Sequence, residues 1–164
     1  MANETPPVPN VLLMNQEQTV QSGWDVFLCY NSTDRPFVAG IEEQLRIEGL
    51  VAWLDQSTLP AGSYWLEELD KALNEGRIRS AAIFVGGKGI GDSQDLEIRM
   101  MTDQWSRKRL PVIPVILPDV IELMHLPPLL RYAQHFDFRR QAEGATRALA
   151  DAIKRTIQSS AESS

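Results

Sequence analysis

The 164-residue sequence contains few of the side chains that cross-links, metal sites and nucleic-acid binding require. Its single cysteine excludes an intrachain disulfide, and its two histidines have no cysteine or acidic partners at ligand spacing. The formal net charge of -6 argues against nucleic acid as the main partner, because phosphate binding needs a basic face. No apolar run approaches the roughly 20 residues of a membrane span. These absences predict a cytoplasmic protein without a metal site, a nucleic-acid partner or a membrane partner.

Composition along the chain predicts one folded domain between two irregular ends. Residues 1–22 are polar, carry three prolines and show no sustained periodicity, so they are expected to form a flexible leader. Residues 23–158 alternate between apolar runs and amphipathic segments, without a linker that could separate two domains. Residues 159–164 are rich in serine and are expected to be a disordered tail.

The alternation predicts strands and helices in turn. Residues 24–30 form a short apolar run with the composition of a strand buried on both faces. An amphipathic helix at 37–48 follows, with Thr33 and Asp34 as cap candidates. Further strands are expected at 50–54, 80–85, 112–117 and 134–138, and further helices at 65–75, 92–107, 120–124 and 141–157. Pro114 lies inside the fourth strand, although a proline removes a ladder donor and normally belongs on an edge strand or a bulge.

Strands that alternate with helices predict an α/β fold. The favoured architecture is a flavodoxin-like open parallel sheet of about five strands in the order 2-1-3-4-5, with helices on both faces. Ligands of such sheets bind beyond the carboxyl ends of the strands, where the strand order reverses. The site is therefore expected between the loop after Tyr30 and the loop that leads to Glu97.

Several chemistries do not fit this frame. A phosphate-receiver domain needs acidic residues at strand ends, whereas Asp25 stands at the start of the first strand. The glycine cluster at 86–91 follows the third strand rather than the first and lacks the lysine-then-hydroxyl order of a P-loop. A turn is therefore favoured there over a phosphate site. No Ser/His/Asp set is apparent, and Cys29 inside a strand is expected to be inert.

Four segments resemble those of the Toll/interleukin receptor (TIR) domain family, and they occur in the family's order. The run at 24–30 resembles its opening strand, and residues 55–62 together with Trp65 resemble the loop after its second strand. Residues 89–99 are similar to the start of its third helix, and residues 112–115 to its fourth strand, which reduces the conflict at Pro114. The resemblance covers roughly residues 23–157.

The resemblance implies an NAD+ glycohydrolase of the bacterial type, in immune or defence signalling, that releases nicotinamide and either ADP-ribose or a cyclic form. NAD+ is then the substrate, no cofactor is needed, and copies are expected to self-associate through residues 55–65. The family's catalytic glutamate falls on Glu97. The implied substrate-binding residues are Tyr30, Asn31, Leu59, Gly62, Tyr64, Trp65, Gly87 and Ser93.

The sequence departs from the family pattern at two of these positions. Ser93 stands where the family has a tryptophan four residues before the glutamate, and Asn31 stands where some active relatives have arginine. A second hypothesis is therefore a non-enzymatic adaptor that acts through contacts between TIR domains. Without the resemblance, the helix dipole alone would explain Glu97 at a helix start, and Trp65 could be a core residue of its helix.

Overall fold

The computed structural model describes residues 23–54, 62, 64–108, 110–122, 126–140 and 143–162. The predicted leader, and residues 163–164 of the predicted tail, lie outside these ranges. The described chain forms a parallel sheet of five strands. The strands are β1 (Val26–Cys29), β2 (Ala52–Trp53), β3 (Ala81–Val85), β4 (Val112–Ile116) and β5 (Phe136–Asp137).

The strand order is β2-β1-β3-β4-β5, and each neighbouring pair is parallel. The predicted flavodoxin-like order is therefore confirmed. The order reverses between β1 and β3, whose register pairs Cys29 with Ile83. The carboxyl ends of these two strands consequently border the crevice in which this architecture places ligands.

Helices cover both faces of the sheet. Their bounds are α1 (Arg35–Ile47), α2 (Trp65–Asn74), α3 (Asp92–Lys108), α4 (Pro128–Tyr132) and α5 (Ala145–Glu162). One apolar cluster joins α1 and α5 to Val26 and Leu28 of β1. The other joins α2, α3 and α4 to Phe27 and Cys29 of the same strand. The two-residue period of the strand thus assigns neighbouring side chains to opposite faces.

The helix boundaries correct three predictions. Residues 120–122 are not helical, although a helical turn was expected at 120–124, and the short helix α4 follows instead from Pro128, a residue well suited to a first helical position. The last helix begins at Ala145 rather than at residue 141, directly after Gly144, which has a φ of 70°. It continues through Glu162, so residues 159–162 are helical rather than disordered. No glycine or proline follows Ile157 to end the helix.

Pro114 lies in a strand that has neighbours on both sides. The N–H of Leu117 donates to the carbonyl of Val85 at 2.9 Å, so odd-numbered residues of β4 bond to β3. The N–H of Phe138 donates to the carbonyl of Ile116 at 2.9 Å, so even-numbered residues face β5. The ladder with β5 begins only at the pair of Val115 and Phe136. The nitrogen of Pro114 therefore faces the β5 side just before pairing starts, where no donor is required.

None of the helices in the described part of the chain combines the length and the apolar character that a membrane-spanning segment needs.

The entry into β1 gives a test of the fold. Gly23 and Gly49 both have positive φ, 85° and 88°, but a Cβ on Gly23 would overlap the carbonyl of Arg77, whereas a Cβ on Gly49 would meet nothing within 4 Å. We expect Gly49→Ala to lower the free energy of unfolding by about 1–2 kcal/mol through backbone strain alone. Gly23→Ala should cost about 1–3 kcal/mol more through the added overlap. Urea denaturation of both variants measures the difference, and equal losses would contradict this account.

Candidate functional site

The side chain of Gln94 closes the crevice between β1 and β3. Its amide nitrogen donates to the carbonyl of Phe84 at 2.7 Å and to that of Cys29 at 3.4 Å, and its amide oxygen accepts from the N–H of Gly91 at 3.2 Å. Gln94 is 1% exposed. The first turn of α3 is thus attached to the carboxyl ends of both central strands.

Glu97 follows three residues later on α3 and therefore lies on nearly the same side of the helix. Its side chain is directed inward, and the residue is 8% exposed. The indole N–H of Trp65, the first residue of α2, donates to its Oε1 at 2.9 Å. The thiol of Cys29 donates to the backbone carbonyl of Gln94 at 3.8 Å and is close enough to the carboxylate to affect its pKa. A carboxylate therefore stands beside the carboxyl end of β1, on the face of the sheet covered by α2 and α3.

Burial is the main influence on the pKa of the Glu97 carboxylate. Desolvation raises the pKa of Glu97, and the hydrogen bonds from Trp65 and Cys29 lower it by less. Burial, followed by the nearby Glu97, raises the pKa of the Cys29 thiol well above its usual range. Cys29 is therefore a neutral thiol, in agreement with its predicted inertness as a nucleophile. Glu97 has the shifted pKa and the water-poor setting that are common among carboxylates of functional sites.

Trp65 belongs to an aromatic cluster below the site. Its ring centroid is 5.1 Å from that of Trp53, in an edge-to-face arrangement, and 5.9 Å from that of Phe27. Trp53 in turn stacks on Trp24 at 4.2 Å. The indole is thus held by aromatic neighbours on one side and by Glu97 on the other. The sequence left open whether Trp65 is a core residue or a residue of the site. In the structure it is both, since it packs on the core and also contacts the carboxylate of the candidate site.

Tyr30 and Asn31 follow β1 and contact other parts of the molecule. Tyr30 packs against the cluster of α1 and α5, on the opposite face of the sheet from Glu97. Asn31 uses its amide internally: its oxygen accepts from the backbone N–H of Thr33 at 3.1 Å, and its nitrogen donates to the carbonyl of Gly89 at 3.2 Å. It caps a short 3-10 turn and joins the loop after β1 to the loop after β3. Their roles in substrate binding stay predictions.

The other predicted binding residues lie near the surface or outside the described chain. Tyr64 is 75% exposed, and Ser93, Gly62 and Gly87 are also exposed. Leu59 lies outside the described residues. Of the predicted binding residues that the structure describes, Trp65 has a hydrogen bond to Glu97.

A second pair of carboxylates flanks the turn after β3. The N–H of Gly89 donates to the carbonyl of Gly86 at 3.0 Å, which confirms the predicted turn. A Cβ on Gly86 would overlap the carboxylate of Asp34, and one on Gly87 would come within 2.9 Å of the carboxylate of Asp119. Burial, followed by the charge of Asp119, raises the pKa of Asp34. This edge carries negative charge, which further disfavours a phosphate site at the turn.

The local sequence did not predict the hydrogen bonding of two residues, Asp34 and Gln94. Asp34 was expected to cap α1, but its side chain makes no cap hydrogen bond, and its Oδ2 has no hydrogen-bond partner within the described residues. Gln94 bonds to the carbonyl of Cys29, 65 positions away in the sequence, so no local signal could identify it. Within the described ranges, no group of three or more His, Cys, Asp or Glu side chains could hold a metal ion.

Comparison with known proteins agrees with this architecture. A family model described as "TIR domain" matches residues 26–153. The chain belongs to the TIR-domain family. No curated protein sequence matches it.

Solved structures of low sequence identity share the fold. The TIR domain of the Toll-related receptor TRR-2 from Hydra magnipapillata superposes with a TM-score of 0.61 at 16% identity, over 80% of this chain and 98% of that one. The TIR domains of the activated Roq1 resistosome, which recognises the pathogen effector XopQ, give 0.59 at 18% identity, over 82% and 99%. A TIR-STING receptor from C. gigas, solved with 2',3'-cGAMP, gives 0.60 at 16% identity over 82% of this chain, but this chain spans only 39% of that receptor.

The raised pKa of Glu97 predicts a pH-dependent stability. Because the folded pKa lies above the value of about 4.3 for an unfolded glutamate, the folded state binds more protons between the two values. The free energy of unfolding therefore falls as the pH rises through this window and stays lower above it. Glu97→Gln removes the effect, so the variant should gain stability relative to the wild type on going from about pH 4 to about pH 7.

Urea denaturation at both pH values measures this change, and Glu67→Gln is the matched control because Glu67 is exposed on α2. The same Glu97→Gln difference at both pH values would contradict the prediction.

Proposed function

We propose that this TIR domain is an NAD+ glycohydrolase with Glu97 as its catalytic carboxylate. The supporting observation is the position of this side chain, which lies in the second turn of α3 beside the carboxyl end of β1 and accepts the indole N–H of Trp65 at 2.9 Å. The proposal extends to immune or cell-suicide signalling of the bacterial type in the cytoplasm, with copies that self-associate.

The chemistry needs only one carboxylate. In NAD+ the nicotinamide ring is already cationic, so cleavage of its bond to ribose C1' leaves the electron pair on a neutral leaving group, and no general acid is required. Most glycosidases need a second carboxyl group for that protonation. Glu97 would hold the ribose hydroxyls and stabilise the positive charge that develops on the sugar. Water then adds to C1', loses its proton and gives ADP-ribose; attack by the adenine ring instead gives a cyclic product.

The enclosure of Glu97 explains why assembly belongs to the proposal. A cleft of about 1410 Å3 at the amino ends of β3 and β4, and another of about 780 Å3 between α1 and α5, do not include Glu97 in their linings. Since the residue is only 8% exposed, nicotinamide can reach it only after the covering groups move. Contact between copies through residues 55–65 would supply the energy for that movement. The activated resistosome among the similar structures is consistent with a function in assemblies.

One observation favours the adaptor as a second candidate. Tyr64 and Leu66 at the start of α2, and Leu96 next to Glu97 on α3, expose large apolar surface. Exposed apolar side chains of this kind are typical of contact surfaces. A scaffold would use the surface around the site without any turnover.

The test incubates the full chain at high concentration with NAD+ and follows nicotinamide by chromatography. We expect release that rises more steeply than the protein concentration. Glu97→Gln should lower it by roughly 10²–10³-fold, because the variant lacks the charge that stabilises the sugar cation. Glu67→Gln is the matched control and should retain activity. No turnover in a sample that self-associates would overturn the proposal and leave the adaptor.

A further inference from the structure

We propose that Trp65 is a positioning residue of the site: its indole N–H, supplied by α2, fixes the orientation in which Glu97 of α3 meets the substrate. This inference rests on the proposed glycohydrolase function. The hydrogen bond between Trp65 and Glu97 can also be tested without enzymatic activity. Failure of this inference and failure of the glycohydrolase proposal can therefore be distinguished.

The geometry allows the indole little freedom. Trp65 is the first residue of α2, so its backbone direction is set by the helix. Its ring lies 5.1 Å from Trp53 and 5.9 Å from Phe27, at interplanar angles of 77° and 35°. A ring held on these sides keeps its N–H directed at one point, which is Oε1 of Glu97 at 2.9 Å. The orientation of the carboxylate therefore depends on a neighbouring helix.

The indole that contacts Glu97 does not come from the helix of Glu97. Position 93, four residues before the glutamate, carries an exposed serine. The indole comes from residue 65, 32 positions earlier in the chain. Glu97 therefore has an aromatic donor although its own helix carries a serine at position 93.

The hydrogen bond from Trp65 leaves most of the acceptor capacity of Glu97 unused. A carboxylate offers about four acceptor positions. The indole N–H of Trp65 occupies one of them. The remaining positions are available to the ribose hydroxyls once the covering groups move. One protein donor can therefore orient the carboxylate without blocking its function.

A tryptophan with a purely structural role would also find a partner for its N–H, so stability alone cannot test the proposal. The distinguishing property is the link to the titration of Glu97. The described groups that act on it are Cys29 from β1 and Trp65 from α2, and no described charged side chain contributes to its shift. Loss of the indole donor should therefore raise the pKa of Glu97, whereas a change elsewhere in the aromatic cluster should not.

The test compares Trp65→Phe, which keeps an aromatic ring but lacks the N–H, with Trp24→Phe. Trp24 stacks on Trp53 in the same cluster and is not among the groups that shift the pKa of Glu97, so it controls for lost aromatic packing. Trp65→Phe should lower kcat for nicotinamide release by roughly 10- to 100-fold, as expected for a misplaced catalytic group, with a smaller change in KM. The acid limb of its kcat/KM profile should move to higher pH. Trp24→Phe should keep the acid limb in place.

A second readout needs no activity. In the 15N-labelled full chain at neutral pH, the Trp65 indole resonance is assigned by its absence from Trp65→Phe. Glu97→Gln should move this resonance more than the Trp24 indole resonance, because it removes the charge that the Trp65 N–H meets. If it moves but the wild type releases no nicotinamide, the glycohydrolase proposal fails while the contact stands. A resonance that stays in place, or an unchanged acid limb and kcat in Trp65→Phe, would overturn the inference.

Discussion

The site depends on the amide of Gln94, which joins the carboxyl ends of the two central strands to the first turn of α3. Where two parallel strands diverge, the last backbone carbonyls lose their partner on the neighbouring strand, and a buried carbonyl without a donor is costly. Gln94 supplies that donor to Phe84 at 2.7 Å and, at a longer distance, to Cys29. The same side chain fixes the helix start, because it accepts from the N–H of Gly91. Glu97, three residues along, is directed toward β1 as a consequence.

A buried carboxylate opposes folding unless its partners compensate for lost hydration. Glu97 has a neutral donor, the indole of Trp65, rather than a salt bridge within the described residues. A neutral donor holds the carboxylate without cancelling its charge, so the field remains available to a cationic ligand. An arginine in place of the indole would cancel much of that field. The choice of partners around Glu97 therefore indicates more about function than the stability that they contribute.

The fold could be predicted from the sequence because its signals are local, whereas the site partners could not. The apolar run of β3 and the amphipathic pattern of α1 depend on neighbouring residues, and they predict a covered parallel sheet. The bond from Trp65 to Glu97 spans 32 positions, and no local pattern encodes it. One available signal was missed: alternation along β1 places Cys29 and Tyr30 on opposite faces. The sequence could therefore have shown that Cys29 and Tyr30 do not share a face, and the structure places Cys29 on the face of Glu97.

The burial of Glu97 also bears on the choice between enzyme and adaptor. An adaptor needs surface, and the exposed Tyr64 and Leu66 supply it without any contribution from a carboxylate below them. Glutamine at position 97 could accept the same indole N–H without a buried charge, so contact between copies alone gives no reason for the acid. A reaction that develops positive charge on a sugar does give one, since the charge acts more strongly where water is excluded. The physical chemistry of this one side chain therefore supports the glycohydrolase over the scaffold.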